Sequence, residues 1–348
     1  MIKFILKPFD VLFFGSGKPF NFSVQEASSI FPSFPNTLAS SICSKILVEK
    51  GIDISRIIKK FYGPFLEKNN KILFPKPLDI LREKKKENGE IIVGKLLKKF
   101  RLINPSYIDS QNNLKALLWI GKHNKNFEIF KGFITLHGLK KWLNNSEVSR
   151  EDLVDENEIF EFESRIGIKM DYFRNVTKEE DAIYRINFVR LKNDTKIVFF
   201  VEFDYNEDKI FEFFDKNPIK VLKLGGEMRS VSYEVSKTDI NQEFNFRKPE
   251  INENDIIKIL YLTPGSLDKA DSSLEILTGA VLTINLAKLS KHTKERKIKR
   301  GLVPGSVIYA KVKDKNKVEN FWLNPQDDDF IGTNLKIYTK VKGVDEYV

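Results

Sequence analysis

The sequence predicts an α+β protein of two domains, the first of which carries a long insertion. Strand-like and helix-like patterns follow the order β-α-β-β-α-β over residues 1–245, once residues 52–155 are set aside as the insertion. A polar stretch then separates this part from residues 246–348, where strand patterns return and predict a smaller α+β domain. The length of 348 residues also suits two domains of roughly 100–200 residues each.

The opening of the chain predicts a strand, a turn and a helix. Residues 2–14 alternate apolar and lysine side chains, and the turn that follows is rich in glycine. Residues 36–50 then place Leu38, Ile42 and Ile46 four residues apart, as on one face of a helix, and Gly51 closes it.

The rest of the first domain supplies the remaining elements. Residues 161–171 alternate cleanly, and residues 182–191 are their predicted partner strand. Ile197–Val201 is an apolar run typical of a strand covered on both faces, and a helix containing Phe211 and Phe214 follows it. A last strand, 221–235, is interrupted by glycines. This is the ferredoxin-like order, which RRM-type RNA-binding modules also use.

Two shorter patterns lie in the insertion, and the C-terminal domain has its own strands. Asn88-Gly89 stands between apolar segments and predicts a hairpin, and Leu139–Leu143 predicts a short amphipathic helix. In the C-terminal domain we expect strands near 256–263, 280–286 and 303–312.

The positive charge is concentrated in the first part of the chain. Residues 1–150 carry a net charge of +14, residues 151–250 carry −7 and the remainder +3, which gives the formal total of +10. A basic surface favours a polyanion such as nucleic acid, although a lysine-rich solvated surface would give the same composition.

Several classes of protein are excluded by composition. A single cysteine, Cys43, cannot build a disulfide scaffold or a cysteine zinc site. Lys3, Lys7 and Pro8 break the apolar N-terminus, so we do not expect it to act as a signal peptide, and no apolar run is long enough to span a membrane. We expect a soluble, cytoplasmic protein with no cofactor.

Two glycine loops are candidates for binding an anion. Gly15-Ser16-Gly17-Lys18 lacks the spacing of a P-loop but could expose backbone N–H groups beside a lysine, unless its glycines only permit a tight turn. Gly225-Gly226-Glu227-Met228-Arg229 could let a polyanion backbone approach Arg229. The alternative is a β-bulge in which Arg229 pairs with Glu227 or Glu234.

Two runs of charge differ in sign. The run 288–300 holds seven basic residues and favours contact with nucleic acid over a merely solvated loop. The block 151–163 holds seven carboxylates, so it either docks a basic partner protein or forms a solvated face, and we do not expect it to bind RNA.

Catalytic signals are sparse. His123, His137 and His292 are widely spaced and offer no metal-ligand pair, and consecutive carboxylates at 327–329 rarely converge on one ion. Cys43 lies in the predicted helix, where a structural thiol is expected. Only His292, within its basic run, could act as the acid or base of a metal-independent ribonuclease.

Four stretches, in order, resemble the third subunit family of the Cmr complex, a group of RAMP-superfamily proteins in type III-B CRISPR–Cas effectors. They are Asp10-Val11-Leu12-Phe13-Phe14 with Gly17-Lys18-Pro19-Phe20 and then Phe31-Pro32, Pro35 and Thr37; Glu163-Ser164-Arg165-Ile166-Gly167-Ile168 with Ile183-Tyr184-Arg185; Leu224-Gly225-Gly226-Glu227-Met228-Arg229; and Arg300-Gly301-Leu302-Val303-Pro304-Gly305-Ser306-Val307 with Tyr309. The chain departs from the family pattern at Ser16 and Lys18, where the family has an acidic residue and an arginine. Lysine keeps the charge but lacks the bidentate fork.

The resemblance implies a fold, a role and partners. It implies two ferredoxin-like (RRM-like) domains and a non-catalytic subunit that contacts the 5′ handle of the crRNA in antiviral defence. The implied protein partners are the large polymerase/cyclase-like Cmr subunit and the backbone RAMP subunit, and no membrane is implied. The rival hypothesis is an endoribonuclease that processes CRISPR repeats, since some RAMP relatives do so, with His292 as its acid–base residue.

Together the motifs and the resemblance predict an RNA-binding site without catalytic or metal-binding residues. The residues predicted to contact RNA, as phosphate ligands or as glycines that shape its path, are Gly15, Gly17, Lys18, Arg165, Lys169, Gly225, Gly226, Arg229, Lys297, Lys299 and Arg300.

Overall fold

The structure, a computed structural model, divides into two compact units. It describes residues 1–15, 26–84, 89–97, 116–121, 124–168, 170–171, 176–177, 183–266, 272–289, 296–325 and 331–342. Unit 1 comprises Met1–Ile72 and Glu156–Glu243, and unit 2 comprises Leu73–Asp155 and Phe244–Val348. This grouping differs from the predicted domains 1–245 and 246–348, because most of the stretch predicted as an insertion packs with the C-terminal part of the chain.

The protein is of the α+β class, with many short strands and few helices. The helices are α1 (Pro35–Lys50), α2 (Leu136–Leu143), α3 (Glu207–Lys216), α4 (Ile240–Phe244) and α5 (Lys315–Glu319). The strands up to residue 155 are β1 (Ile2–Pro8), β2 (Glu26–Ser28), β3 (Ile58–Lys68), β4 (Lys71–Pro75), β5 (Ile80–Glu83), β6 (Ile91–Val93), β7 (Lys95–Leu97), β8 (Leu117–Trp119), β9 (Phe127–Glu128), β10 (Gly132–Thr135) and β11 (Leu153–Asp155). The later strands are β12 (Phe160–Ile168), β13 (Met170–Asp171), β14 (Val176–Thr177), β15 (Ile183–Leu191), β16 (Thr195–Phe203), β17 (Val221–Lys223), β18 (Ser230–Lys237), β19 (Ile256–Tyr261), β20 (Leu274–Ala280), β21 (Thr283–Leu289), β22 (Arg296–Leu302), β23 (Val307–Val312) and β24 (Lys336–Lys340).

The main sheet of unit 1 is antiparallel, in the order β3-β16-β1-β18-β17. With its two longer helices it follows the chain order β1-α1-β3-β16-α3-β18. The prediction that 161–171 and 182–191 supply the second and third strands of this sheet is wrong. Those places are taken by β3, which lies in the supposed insertion, and by β16, whose apolar run Ile197–Val201 is buried as expected.

Aromatic packing holds the helices of unit 1 on this sheet. The Phe4 ring stacks on Phe199 at 5.0 Å and meets Phe214 of α3 edge to face at 5.0 Å. All three side chains are fully buried, and each contributes roughly 1.5–3 kcal/mol by leaving water. Helix α1 begins at Pro35, where a missing N–H is harmless, and ends at Gly51 with a φ of 70°.

The strands predicted at 161–171 and 182–191 do pair with each other, as β12 and β15, in a separate sheet. Strand β2 joins the other edge of β15 in parallel. The apolar side chains Phe162 and Ile166 on β12 are exposed, while the alternate residues Glu163 and Arg165 are only partly exposed. The charged face of β12 therefore packs against protein, opposite to the usual arrangement of an amphipathic strand.

Unit 2 contains a four-stranded antiparallel sheet in the order β20-β23-β19-β24. Its core includes Ile259, Ile308, Val318 and Tyr338. The predicted hairpin around Asn88-Gly89 is present as the pair β5 and β6, although Asn88 itself lies outside the described residues. The predicted helix at Leu139–Leu143 is part of α2. Within the described ranges, no helix is long and apolar enough to cross a membrane.

A buried ionic network ties the middle segment to the C-terminal sheet within unit 2. The carboxylate of Asp79 accepts hydrogen bonds from the Tyr309 hydroxyl at 2.8 Å and from the Trp142 indole at 3.0 Å. The Lys258 ammonium lies 3.9 Å from the centroid of the Trp142 ring, and Lys76 donates to the carbonyl of Ile80 at 2.7 Å. These five side chains are all buried, which explains why Leu73–Asp155 belongs to this unit rather than to unit 1.

The two buried lysines make the stability of unit 2 depend on pH. Burial lowers the pKa of Lys258 to about 8 and that of Lys76 to about 8, against partial compensation by the Asp79 charge. Between pH 8 and the ordinary value of 10.5, the unfolded chain holds protons that these lysines have released in the folded protein. Their contribution to stability therefore rises with pH in this window.

We expect the free energy of unfolding of the wild type to increase by about 1–2 kcal/mol more than that of Lys258→Met between pH 7.5 and 9.5. Denaturant titrations of both proteins at the two pH values measure this difference. Equal pH dependence in both proteins would show that Lys258 is not held as a buried, titrating ammonium.

Candidate functional site

Three arginine side chains of unit 1 converge on one carboxylate. Asp10, just after β1, accepts a hydrogen bond from Arg190 Nη2 at 2.9 Å and one from Arg165 Nη2 at 3.1 Å. Arg229 Nη1 lies 3.5 Å from the same carboxylate. We call Arg165, Arg190 and Arg229 the arginine cluster.

A second carboxylate holds two of these arginines from the side. Glu163 Oε1 accepts from Arg165 Nε at 2.7 Å, and Glu163 Oε2 accepts from Arg190 Nε. Because Glu163 engages the Nε edges, the terminal nitrogens of Arg165 and Arg190 are left to point at Asp10. The two guanidinium groups are therefore fixed in position before any ligand arrives.

An aromatic ring lies under the cluster. The guanidinium carbon of Arg229 is 4.5 Å and that of Arg165 is 5.4 Å from the centroid of the Phe188 ring on β15. Phe188 is buried and packs edge to face on Phe13 at 5.8 Å. This cation–π contact orients the arginines while leaving their outer edges open to solvent.

The glycine loop 224–229 places Arg229 over this ring. Gly226 N–H donates to the carbonyl of Phe13 at 2.8 Å, and Leu224 N–H donates to the carbonyl of Arg229 at 2.9 Å, which closes the loop. Gly225 has a φ of 78°, and a Cβ at this position would collide with the carbonyl oxygen of Phe13. The loop therefore needs glycine here both for its backbone angle and for its approach to Phe13.

This requirement gives a testable prediction for Gly225→Ala. We expect it to destabilise unit 1 by about 2–4 kcal/mol, since a left-handed φ costs roughly 1–2 kcal/mol for alanine and the clash adds a similar amount. The matched control is Gly51→Ala, which has a φ of 70° but nothing within 4 Å of the new methyl group. Denaturant unfolding measures both, and equal losses would mean that the contact with Phe13 does not constrain the loop.

The arginine hydrogen bonds favour the charged forms of the two carboxylates. Partial burial raises the pKa of Asp10, but the hydrogen bonds from Arg165 and Arg190 outweigh this and lower it below its ordinary value. Hydrogen bonds from Arg190 and Arg165 lower the pKa of Glu163. Three guanidinium groups against two carboxylates leave the site with one net positive charge, and Asp10 and the arginines are each about a quarter to two-fifths exposed. Such an arrangement of donors suits the oxygens of a phosphate group.

The structure brings together five of the residues predicted to contact RNA. Arg165 and Arg229 share Asp10, Gly225 and Gly226 form the loop against Phe13, and Gly15 lies beside the Phe13 ring. Gly17, Lys18 and Lys169 lie outside the described residues. The alternative pairing of Arg229 with Glu227 or Glu234 is not the one that the structure has, because its carboxylate partner is Asp10.

The other three predicted residues lie in unit 2, on the antiparallel hairpin of β21 and β22. The register places Lys299 opposite Leu286 and Arg300 opposite Asn285. Arg300 is exposed and Lys299 is half-buried, and of Lys297 only the backbone, paired with Lys288, is described. The basic run is thus part of a two-stranded ribbon rather than wholly a loop.

Sequence reasoning missed Arg190 and the part played by Asp10 and Glu163. The alternation of β15 places Arg190 on the same face as Phe188, which is the signal that could have identified it. The acidic block 151–163 was expected to dock a partner or remain solvated. Within it Asp152 binds Lys141 at 2.8 Å, Asp155 binds Arg82 at 3.0 Å, and Glu163 belongs to the site, whereas Glu151, Glu158 and Glu161 are exposed to solvent.

The catalytic candidates are not assembled into a site in the described part of the chain. His137 lies in α2 and Cys43 in α1, whereas His123, His292 and residues 327–329 lie outside the described residues. No group of three or more metal-ligating side chains that could hold an ion occurs among the residues that the structure describes.

Comparison with known proteins places the chain among CRISPR-associated proteins. The model of the family described as CRISPR-associated protein (Cas_Cmr3) matches residues 4–340, which is nearly the whole chain. The CRISPR system CMR subunit Cmr3 of Saccharolobus solfataricus (strain ATCC 35092 / DSM 1617 / JCM 11322 / P2) is 22% identical over 351 residues, covering 93% of this chain and 91% of that protein.

Two solved structures share the fold. A chain in the cryo-EM structure of the Type III-B Cmr-beta bound to cognate target RNA superposes with a TM-score of 0.54 at 18% identity, covering 88% of this chain and 86% of that chain. A chain in the structure of the Type III-B Cmr-beta bound to cognate target RNA and AMPPnP gives a TM-score of 0.52 at 19% identity, with the same coverage. At these identities the likeness establishes the fold alone.

Proposed function

The chain belongs to the Cmr3 family, the third-subunit family of the type III-B Cmr complex, and from this premise we propose that it is a non-catalytic, cytoplasmic crRNA-binding subunit of that effector. In this role it contacts the 5′ handle of the guide RNA and bridges the large polymerase/cyclase-like subunit to the backbone RAMP subunit in antiviral defence.

The observation that carries the proposal is the arginine cluster. Three guanidinium groups with defined partners lie around one point at the protein surface, between the end of β1 and the loop 224–229. Arginine forks match phosphate oxygens, and contacts to phosphates supply most of the affinity of proteins for nucleic-acid backbones.

Two further features support an RNA-binding role. The close packing of Gly225 and Gly226 on Phe13 holds the loop 224–229 in place, which fixes the position of Arg229 at the surface. In unit 2 the ribbon of β21 and β22 carries Lys297, Lys299 and Arg300 and supplies a second basic element.

We also propose that the two units are variants of the ferredoxin-like fold. Unit 1 follows the chain order β-α-β-β-α-β, and its four corresponding strands lie in the spatial order β3-β16-β1-β18 with antiparallel neighbours. That arrangement supports the assignment for unit 1, and the antiparallel sheet of β19, β20, β23 and β24 supports it for unit 2.

The experiment that tests this function compares guide RNAs with an intact and a scrambled 5′ handle. Binding is measured by fluorescence anisotropy, with the protein alone and after addition of the two partner subunits. We expect the intact handle to bind more tightly, by about tenfold or more, in at least the assembled state. Equal affinity in both states would refute handle recognition.

The same RNAs test the non-catalytic assignment. We expect no cleavage of CRISPR repeat RNA in EDTA. Specific cleavage that His292→Ala abolishes would instead establish the metal-independent endoribonuclease.

A further inference from the structure

We propose that Asp10 occupies the place of a backbone phosphate in the free protein, so that the arginine cluster accepts only an RNA able to displace this carboxylate. The proposal rests on the function proposed above and concerns the selectivity of the same site.

The hydrogen-bond donors of the arginine cluster are divided between two carboxylates. Glu163 binds the Nε edges of two arginines, whereas Asp10 receives the terminal nitrogens of all three. The Oδ1 atom of Asp10 accepts hydrogen bonds from Arg190 at 2.9 Å and from Arg165 at 3.4 Å. Its Oδ2 atom accepts one from Arg165 at 3.1 Å and lies 3.5 Å from Arg229 Nη1. The Asp10 carboxylate thus stands where the outward-facing ends of the guanidinium groups meet, which is the point that a phosphate would occupy.

Asp10 is also the more accessible of the two carboxylates. The Asp10 side chain is 43% exposed and that of Glu163 is 31% exposed, so Asp10 is the anion that an incoming ligand reaches first. It lies beyond the end of β1, where Phe9 N–H is bonded only weakly to Ser230 at 3.4 Å. Because Asp10 lies outside the strand, turning its side chain away from the arginines gives up the hydrogen bond from the Val11 N–H but breaks no strand pairing.

The physical consequence is a penalty on weak polyanion binding. A phosphate must exchange with a carboxylate that already satisfies the arginines, and the released negative charge stays nearby and repels it. A flexible single strand that makes few other contacts gains little from this exchange. A guide RNA that is held at several points can complete it, since its other contacts keep the phosphate at the cluster.

The test uses Asp10→Asn in the full chain, with an oligouridine of about twenty nucleotides as generic polyanion. Asn keeps the size of the side chain but removes the competing charge. At low salt we expect oligouridine affinity to rise about tenfold, and the ratio of guide RNA to oligouridine affinity to fall accordingly. The matched control is Asp208→Asn, which removes the same charge from an ion pair with Lys237 on the surface of the same unit and should change affinity less than twofold.

Three outcomes separate this proposal from the function on which it rests. Circular dichroism first establishes that Asp10→Asn is folded. If this variant leaves oligouridine affinity unchanged or lowers it, Asp10 only stabilises the fold through its ion pairs, and the inference is wrong. Glu163→Gln serves as a second variant, because it disturbs the arginines but leaves the Asp10 carboxylate in place between them. An equal rise in oligouridine affinity in Glu163→Gln would also contradict the role of Asp10. Arg229→Ala reports on the proposed function itself, because unchanged guide RNA affinity in that variant would refute the RNA site and not merely its selectivity.

Discussion

The double variant Arg165→Ala/Arg229→Ala is expected to lose about 100-fold in affinity for guide RNA. Both side chains lie over Phe188 with their terminal nitrogens directed at the point where a phosphate would bind. A hydrogen bond from a charged group contributes about 1.5–3 kcal/mol where it is not replaced by water, and two such contacts correspond to roughly two orders of magnitude in Kd.

Arg56→Ala is the matched control for this prediction. Arg56 is an exposed arginine of unit 1, so its removal changes net charge without touching the cluster. We expect less than a threefold effect. The measurement is fluorescence anisotropy with labelled guide RNA, and a similar loss in the control would mean that overall charge, not the arginine cluster, determines affinity.

Asp79→Ala is expected to destabilise unit 2 by about 3–5 kcal/mol, because removing one partner from a buried charge network leaves the others uncompensated. Burial raises the pKa of Asp79, while the Lys258 charge and the hydrogen bonds from Tyr309 and Trp142 act in the opposite direction. Without this carboxylate, two buried ammonium groups would have no counter-charge nearby, and the Tyr309 and Trp142 donors would lose their acceptor.

Denaturant unfolding at pH 7 measures this loss of stability. The control is Glu253→Ala, at an exposed position of unit 2, for which we expect the free energy of unfolding to change by no more than about 0.5 kcal/mol. The loss in Asp79→Ala should become smaller at pH 9.5, because there Lys76 and Lys258 are neutral in the folded protein. A loss that does not depend on pH would indicate a cavity rather than an uncompensated charge.

Local elements were predictable from the sequence because their signals are local. Helix α1 with Gly51 at its end, the buried strand β16, and the break between β17 and β18 all follow from apolar spacing and glycine positions. The pairing of β3 with β16 was missed, since it joins segments more than 120 residues apart and the alternation of 161–171 offered a nearer candidate. Periodicity identifies strands, but it does not determine which strands pair over such distances.

The candidate site was predictable only in part for a similar reason. Arg165 and Arg229 lie in motifs that contain glycine, and such motifs indicate phosphate ligands. Arg190 stands in no such motif, and it reaches Asp10 only because β15 lies beside β12. In the sequence Asp10 is only one residue of the opening motif, although in the structure its carboxylate pairs with all three arginines.

The salt dependence of guide RNA binding tests the central claim most directly, because it counts the phosphates that the protein neutralises. For single-stranded RNA, each lost phosphate contact reduces the slope of log Kd against log salt concentration by about 0.7. We expect the slope of Arg165→Ala/Arg229→Ala to be lower than that of the wild type by about 0.7, because the arginine cluster surrounds a single phosphate position, and the slope of Arg56→Ala to match the wild type. Identical slopes for the wild type and the double variant would contradict the account, since the arginine cluster would then not bind the RNA backbone.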